Sequence, residues 1–121
     1  MEELKVWLFE LEFHEEQDRG NLSVLGSDNL PFDVKRLFWI RDVQGVHSRG
    51  GHAHKECHQV IIPIGCVDIY VDGELYTFFD CDNYALYVPP GHKVSMRGFG
   101  KCTSVLVLCS HEYDPEDYIY D

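Results

Sequence analysis

The sequence predicts an all-β domain, a sandwich or barrel of short antiparallel strands. Three observations carry that expectation. Short runs of alternating or β-branched residues recur along the chain. Turn residues separate them, and no amphipathic helical pattern persists for three turns. With 121 residues, the chain suits one domain, residues 1–121, built around a single core.

The elements follow in order. Lys5 to Phe13 ends in an alternation that places Phe9, Leu11 and Phe13 on one strand face. Asp18-Arg19-Gly20-Asn21 is a turn, and Leu22 to Leu25 begins a second strand. Val34 to Ile40 is an aromatic and β-branched third strand, followed by a polar loop from Asp42 to Gly51. Gln59 to Ile64 is a strand and Gly65 a turn or bulge. Val67 to Val71 alternates cleanly into Asp72-Gly73, a hairpin signal, with Glu74 to Phe79 as the returning partner. After a turn at Cys81-Asp82-Asn83 come strands at Tyr84 to Val88, Lys93 to Arg97 and Ser104 to Cys109. The tail from His111 to Tyr118 is a loop with one helical turn.

Composition narrows the function classes. The formal charge of −11 and pI near 4.9 give no overall footprint for nucleic acid. A local pair of arginines can still bind a phosphate. The acidic clusters at both ends read as solvated surface. Five cysteines, at 57, 66, 81, 102 and 109, form no Cys-x-x-Cys pair, which suits reduced thiols in the cytoplasm. Met1 to Lys5 lacks the apolar core of a secretory signal, and no run is long enough to cross a bilayer.

The stretch from Ser48 to Gln59 concentrates the chemistry. His52 and His54 are one residue apart, so on a strand they share a face. Arg49, Gly50 and Gly51 lead in, and an apolar run follows. Paired imidazoles can hold a metal or move protons. Four of the other five histidines, His14, His47, His58 and His111, read as structural.

A His-x-His strand followed by a turn and a strand is the mark of a cupin jelly roll (double-stranded β-helix). The metal-binding form adds a Glu and a later His; here Gln59 and Val94 fall at those positions. An amide and an aliphatic side chain make a poor site for a divalent metal.

The chain resembles the WxcM-like cupins, the dTDP-sugar 3,4-ketoisomerases. The resemblance rests on Asp18 to Leu22, Pro31-Phe32 with Lys35-Arg36, and the Arg49 to Lys55 core with Gln59. It continues through Gly65, Asp72-Gly73, Tyr87 with Pro89-Pro90, Met96, Phe99, and the tail from Tyr113 to Ile119. It implies a jelly roll, a homodimer with exchanged N-terminal strands, and no metal or other cofactor. It also implies conversion of a dTDP-4-keto-6-deoxyhexose through an enediol, in deoxysugar or surface-polysaccharide synthesis. By the family pattern His52 is the base and His54 its partner in moving the proton. Arg49 would stabilise enediolate charge, and Arg19 or Arg36 would meet the diphosphate. Trp39, Gln59 and Lys93 complete the expected substrate-binding set. The chain departs from the pattern at Leu37-Phe38-Trp39, where relatives carry tyrosines, and at Lys93-Val94, where they carry Trp-His. Tyr120 replaces an arginine. Those departures favour the competing reading, a non-catalytic nucleotide-sugar-binding cupin that serves a partner enzyme.

Overall fold

In the computed structural model, residues 4–80 and 82–120 are described. Among the described residues, twelve strands and three short 3-10 turns account for the regular structure. One sheet has the order β1 (Trp7–Glu10), β9 (Tyr84–Val88), β6 (Gln59–Ile64), β11 (Ser104–Cys109), β4 (Arg36–Arg41). The second runs β12 (Tyr118–Ile119), β5 (Arg49–His54), β10 (Val94–Arg97), β7 (Val67–Val71), β8 (Glu74–Phe78). All of their pairings are antiparallel. Apart from the β7–β8 hairpin, neighbours in each of these sheets are distant in sequence, so the chain crosses repeatedly between sheets, as a jelly roll requires.

Period-two alternation builds the core. Val67, Ile69 and Val71 of β7, with Val94 and Met96 of β10, face Ile61, Leu86, Val88, Val105 and Val107 of the opposite sheet. Every one of these is buried. Each such side chain contributes about 1.5–3 kcal/mol relative to exposure. The outer face of the first sheet carries a smaller cluster of Leu11, Val60, Ala85 and Tyr87, covered by Leu25, Leu30 and Phe32.

The N-terminal segment departs from the expected single strand. It breaks at Leu11, which is buried and donates its N–H to the Asn83 carbonyl. Phe13 lies beyond the break, exposed, in a separate hairpin of β2 (Glu12–Glu16) and β3 (Gly20–Val24) that joins neither large sheet. The tail also differs from expectation. After a 3-10 turn at Pro115–Asp117, capped by the Asp114 carboxylate on the Glu116 N–H, Tyr118 and Ile119 pair with His54 and Ala53. The turn expected around Cys81 has that residue outside the described residues. No helix among the described residues is long and apolar enough to cross a membrane.

Candidate active site

A cavity of about 1040 Å³ opens where β4 and β5 diverge. Its walls come from β4, the 42–48 loop, β5, and the inward faces of β6, β10 and β11. One side is apolar, formed by Phe38, Ile40, Val94, Met96 and Val107; His52 and Gln59 stand among them. Arg36, Arg41 and Arg49 also line it. Three arginines against one carboxylate, Asp42, give this lining a positive balance in a chain of net charge −11.

Gly50 fixes the register of this wall. Its φ is +91°, and an added Cβ would stand 2.7 Å from the Val94 carbonyl oxygen. The pairing of β10 with β5 shifts there, so that Val94 lies opposite His52 and Ser95 opposite Gly50. Only glycine enters so close a backbone approach without strain.

His52 and His54 share the inward face, their rings 5.4 Å apart at 90°. His52 lines the cavity, while His54 lies behind it, 7% exposed. The His54 Nδ1–H donates to Asp117 Oδ2 over 3.0 Å. Asp117 is itself held by the backbone N–H groups of Glu56 (2.8 Å) and Cys57 (3.3 Å). Burial works against the charged Asp117 carboxylate, but the donors from Glu56, His54 and Cys57 outweigh it and hold its pKa below the usual value. In the neutral ring this arrangement leaves His54 Nε2 as a bare lone pair.

His54 Nε2 and His52 Nδ1 are the buried side-chain polar atoms that lack a partner among the described residues. An unpaired buried polar atom costs about 1–3 kcal/mol, so two on adjacent rings mark a place prepared for another molecule's polar atoms. Burial first, then the positive charges of His54 and Arg49, push the His52 pKa below 6.5. A neutral imidazole able to accept a proton is the consequence. Tyr118 packs on both rings, with centroids 4.7 Å from His52 and 4.6 Å from His54. Tyr120 stacks on Tyr118 at 5.9 Å.

Of the residues singled out from sequence, His52, Arg49, Arg36, Trp39 and Gln59 line the cavity. Arg36 sits over the Phe38 and Tyr113 rings at 4.7 and 5.2 Å. Gln59 is buried and offers its amide N–H to the Cys109 sulfur at 3.7 Å. Two residues lie elsewhere. Arg19 projects from the turn before β3, with its side chain 83% exposed and paired to Glu16 at 3.2 Å. Lys93 borders a separate hollow of about 370 Å³ with Tyr70, Ser95 and Arg97. Sequence reasoning missed Asp117, Tyr118 and Arg41. The signal for the first two lay in the tail, where Asp114-Pro115 starts a turn and Tyr118-Ile119 is a strand fragment.

The cupin metal position does not fit these residues. Val94, opposite His52, has no donor atom, and Gln59 offers only a neutral amide.

Fold and site together define a jelly-roll protein with a half-buried and a buried histidine paired beside an arginine-lined cavity, the cupin architecture of sugar-nucleotide isomerases. Residues 4–121 match the family described as FdtA, WxcM-like, C-terminal, and the chain belongs to that family. It is 37% identical over 106 residues to the TDP-4-oxo-6-deoxy-α-D-glucose-3,4-oxoisomerase of Aneurinibacillus thermoaerophilus, covering 84% of this chain and 76% of that protein. Among solved structures it is similar to QdtA, a sugar 3,4-ketoisomerase from Thermoanaerobacterium thermosaccharolyticum in complex with TDP. That match has TM-score 0.86 and 32% identity, covering 96% of this chain and 88% of QdtA. It is also similar to WlaRB, a TDP-quinovose 3,4-ketoisomerase from Campylobacter jejuni, with TM-score 0.83 and 30% identity, covering 96% and 92%.

Proposed function

We propose that the chain is a 3,4-ketoisomerase of a dTDP-linked 4-keto-6-deoxyhexose. The observation that carries the reading is the pair of buried, unpartnered imidazole nitrogens on adjacent rings, His52 lining the cavity and His54 directly behind it. His52 takes the C3 proton as general base, and the electron pair moves toward O4 to give an enediolate. O4 gains the proton that the O3 hydroxyl gives up, C3=O forms, and the proton from C3 or from solvent is delivered to C4. His54, with Nδ1–H fixed on Asp117, presents Nε2 to the site and exchanges the proton with His52 or with the substrate oxygens. Arg49 stabilises the enediolate charge, and Arg36 meets the diphosphate. Trp39 and Gln59 position the sugar nucleotide, and the apolar wall of Phe38, Ile40 and Val94 suits a deoxygenated C6. Each step is a proton transfer that imidazole side chains can carry without a metal.

The chain acts as a homodimer with exchanged N-terminal strands, in the cytoplasm, in deoxysugar synthesis for surface polysaccharide. The detached β2–β3 hairpin, with exposed Phe13 and Leu22, supports the exchange. It also gives Arg19 a route to the diphosphate in the partner's cavity. Lys93 stands at the rim of the second hollow, away from the sugar in the chain's own cavity. Incubation of the purified protein with dTDP-4-keto-6-deoxyglucose, followed by NMR, tests the activity. A 3-keto product is expected; binding without turnover would favour the non-catalytic alternative.

A further inference from the structure

We propose that His54, Cys57 and Asp117 form a capture site for one zinc-type divalent cation, and that filling it reversibly silences the isomerase. One donor atom from each of the three residues lies within 4.8 Å of the other two. The group is enclosed, with His54 7% and Cys57 5% exposed and the Asp117 side chain 11% exposed. Imidazole nitrogen, thiolate sulfur and carboxylate oxygen are a zinc donor set; magnesium and calcium require oxygen ligands.

The geometry needs little change. With metal–nitrogen and metal–oxygen bonds near 2.0 Å, adjacent ligands of a tetrahedral ion stand about 3.3 Å apart. His54 Nδ1 and Asp117 Oδ2 are already 3.0 Å apart. The cation takes the place of the proton between them. The Nδ1 proton moves to Nε2, the Cys57 thiol proton leaves to solvent, and the fourth position is left for water. This place shares His54 with the cupin metal position, which would draw on His52, His54, Gln59 and Val94, but completes its donor set with Cys57 and Asp117 instead. An ion would enter by opening of β12, which is only two residues long and pairs with His54 and Ala53.

The effect on turnover rests on the proposed function; the binding does not. A cation on Nδ1 withdraws electron density from the ring and pulls Asp117 from its bracing role. Nε2, which is buried and unpartnered, then carries the ring's proton and can no longer accept one.

Cobalt(II) titrated into the full chain is the direct probe, with zinc as competitor. The expected result is a thiolate-to-cobalt charge-transfer band that saturates at about one equivalent and is displaced by zinc. Turnover should fall at least ~10-fold at saturation and return with a chelator. Cys57→Ala, with Cys57→Ser as second variant should the first fold poorly, should abolish both band and inhibition. Metal-free turnover should be unchanged, because the Cys57 side chain has no part in the isomerisation. Cys102→Ser, at an exposed thiol elsewhere, should change neither. No band in the unaltered chain, or an undiminished band in Cys57→Ala, would overturn the site. A band with full turnover would overturn the silencing. If the metal-free chain turns over no dTDP sugar, the proposed function fails while the titration still reads the site.

Discussion

Asp117 Oδ2 accepts the Nδ1–H of His54 at 3.0 Å while two backbone N–H groups hold the same carboxylate in place. A residue from the C-terminal turn thereby sets the tautomer of a histidine on β5. Asp117→Asn should keep the fold but lower kcat by about 10–100-fold, with KM little changed. Steady-state kinetics check this. Circular dichroism separates it from unfolding.

The pH profile follows from His52. Burial and the charges of His54 and Arg49 lower its folded pKa below 6.5. Activity should therefore rise from acid, with a midpoint under 6.5, and be level by neutral pH. Arg49→Gln removes one of those charges and should move the midpoint upward. The linked stability has a definite sign, because the neutral ring is favoured in the folded state. That contribution is present above 6.5 and is lost as pH falls from there to the folded value. Asp117 adds a second loss at lower pH: its depressed carboxylate stabilises the fold above 3.8 and ceases to as pH falls through its folded value. NMR titration of the imidazoles and urea melts across pH measure both.

Gly50 is a structural requirement of the site. Gly50→Ala would place a methyl 2.7 Å from the Val94 carbonyl oxygen at a φ of +91°. A loss of roughly 1–3 kcal/mol is expected, read as a lower urea midpoint. Turnover should fall as well, because the β5–β10 register carries His52.

Tyr118 separates packing from chemistry. Its ring lies against both imidazoles, so Tyr118→Phe should retain most turnover. Tyr118→Ala should cost about 10–100-fold, as expected when reacting groups lose their alignment. Equal damage from both variants would assign the proton transfer to the hydroxyl instead.

Much of this architecture was legible in the chain. Alternation at Val67 to Val71 and the Asp72-Gly73 turn became β7 and its hairpin with β8. The His-x-His spacing did place both rings on one face. The acidic tail was not legible. Asp117 stands among other carboxylates, and nothing local shows that its backbone turn delivers it to a ring 63 residues earlier. The location of Arg19 and Lys93 was equally hidden, because residue type does not reveal which side of a twisted sheet a loop presents. Arg41 was missed for a related reason. It sits at the outer end of β4, and only the fold brings it to the cavity mouth.

The most direct test of the central claim uses dTDP-4-keto-6-deoxyglucose in deuterated water, with the unaltered protein and with His52→Asn. The account predicts a 3-keto product carrying deuterium at C4, and deuterium at C3 of recovered substrate. Both should fall by about 10²–10⁴-fold in His52→Asn, with nucleotide-sugar binding retained. Exchange and product formation that continue undiminished in His52→Asn would contradict it.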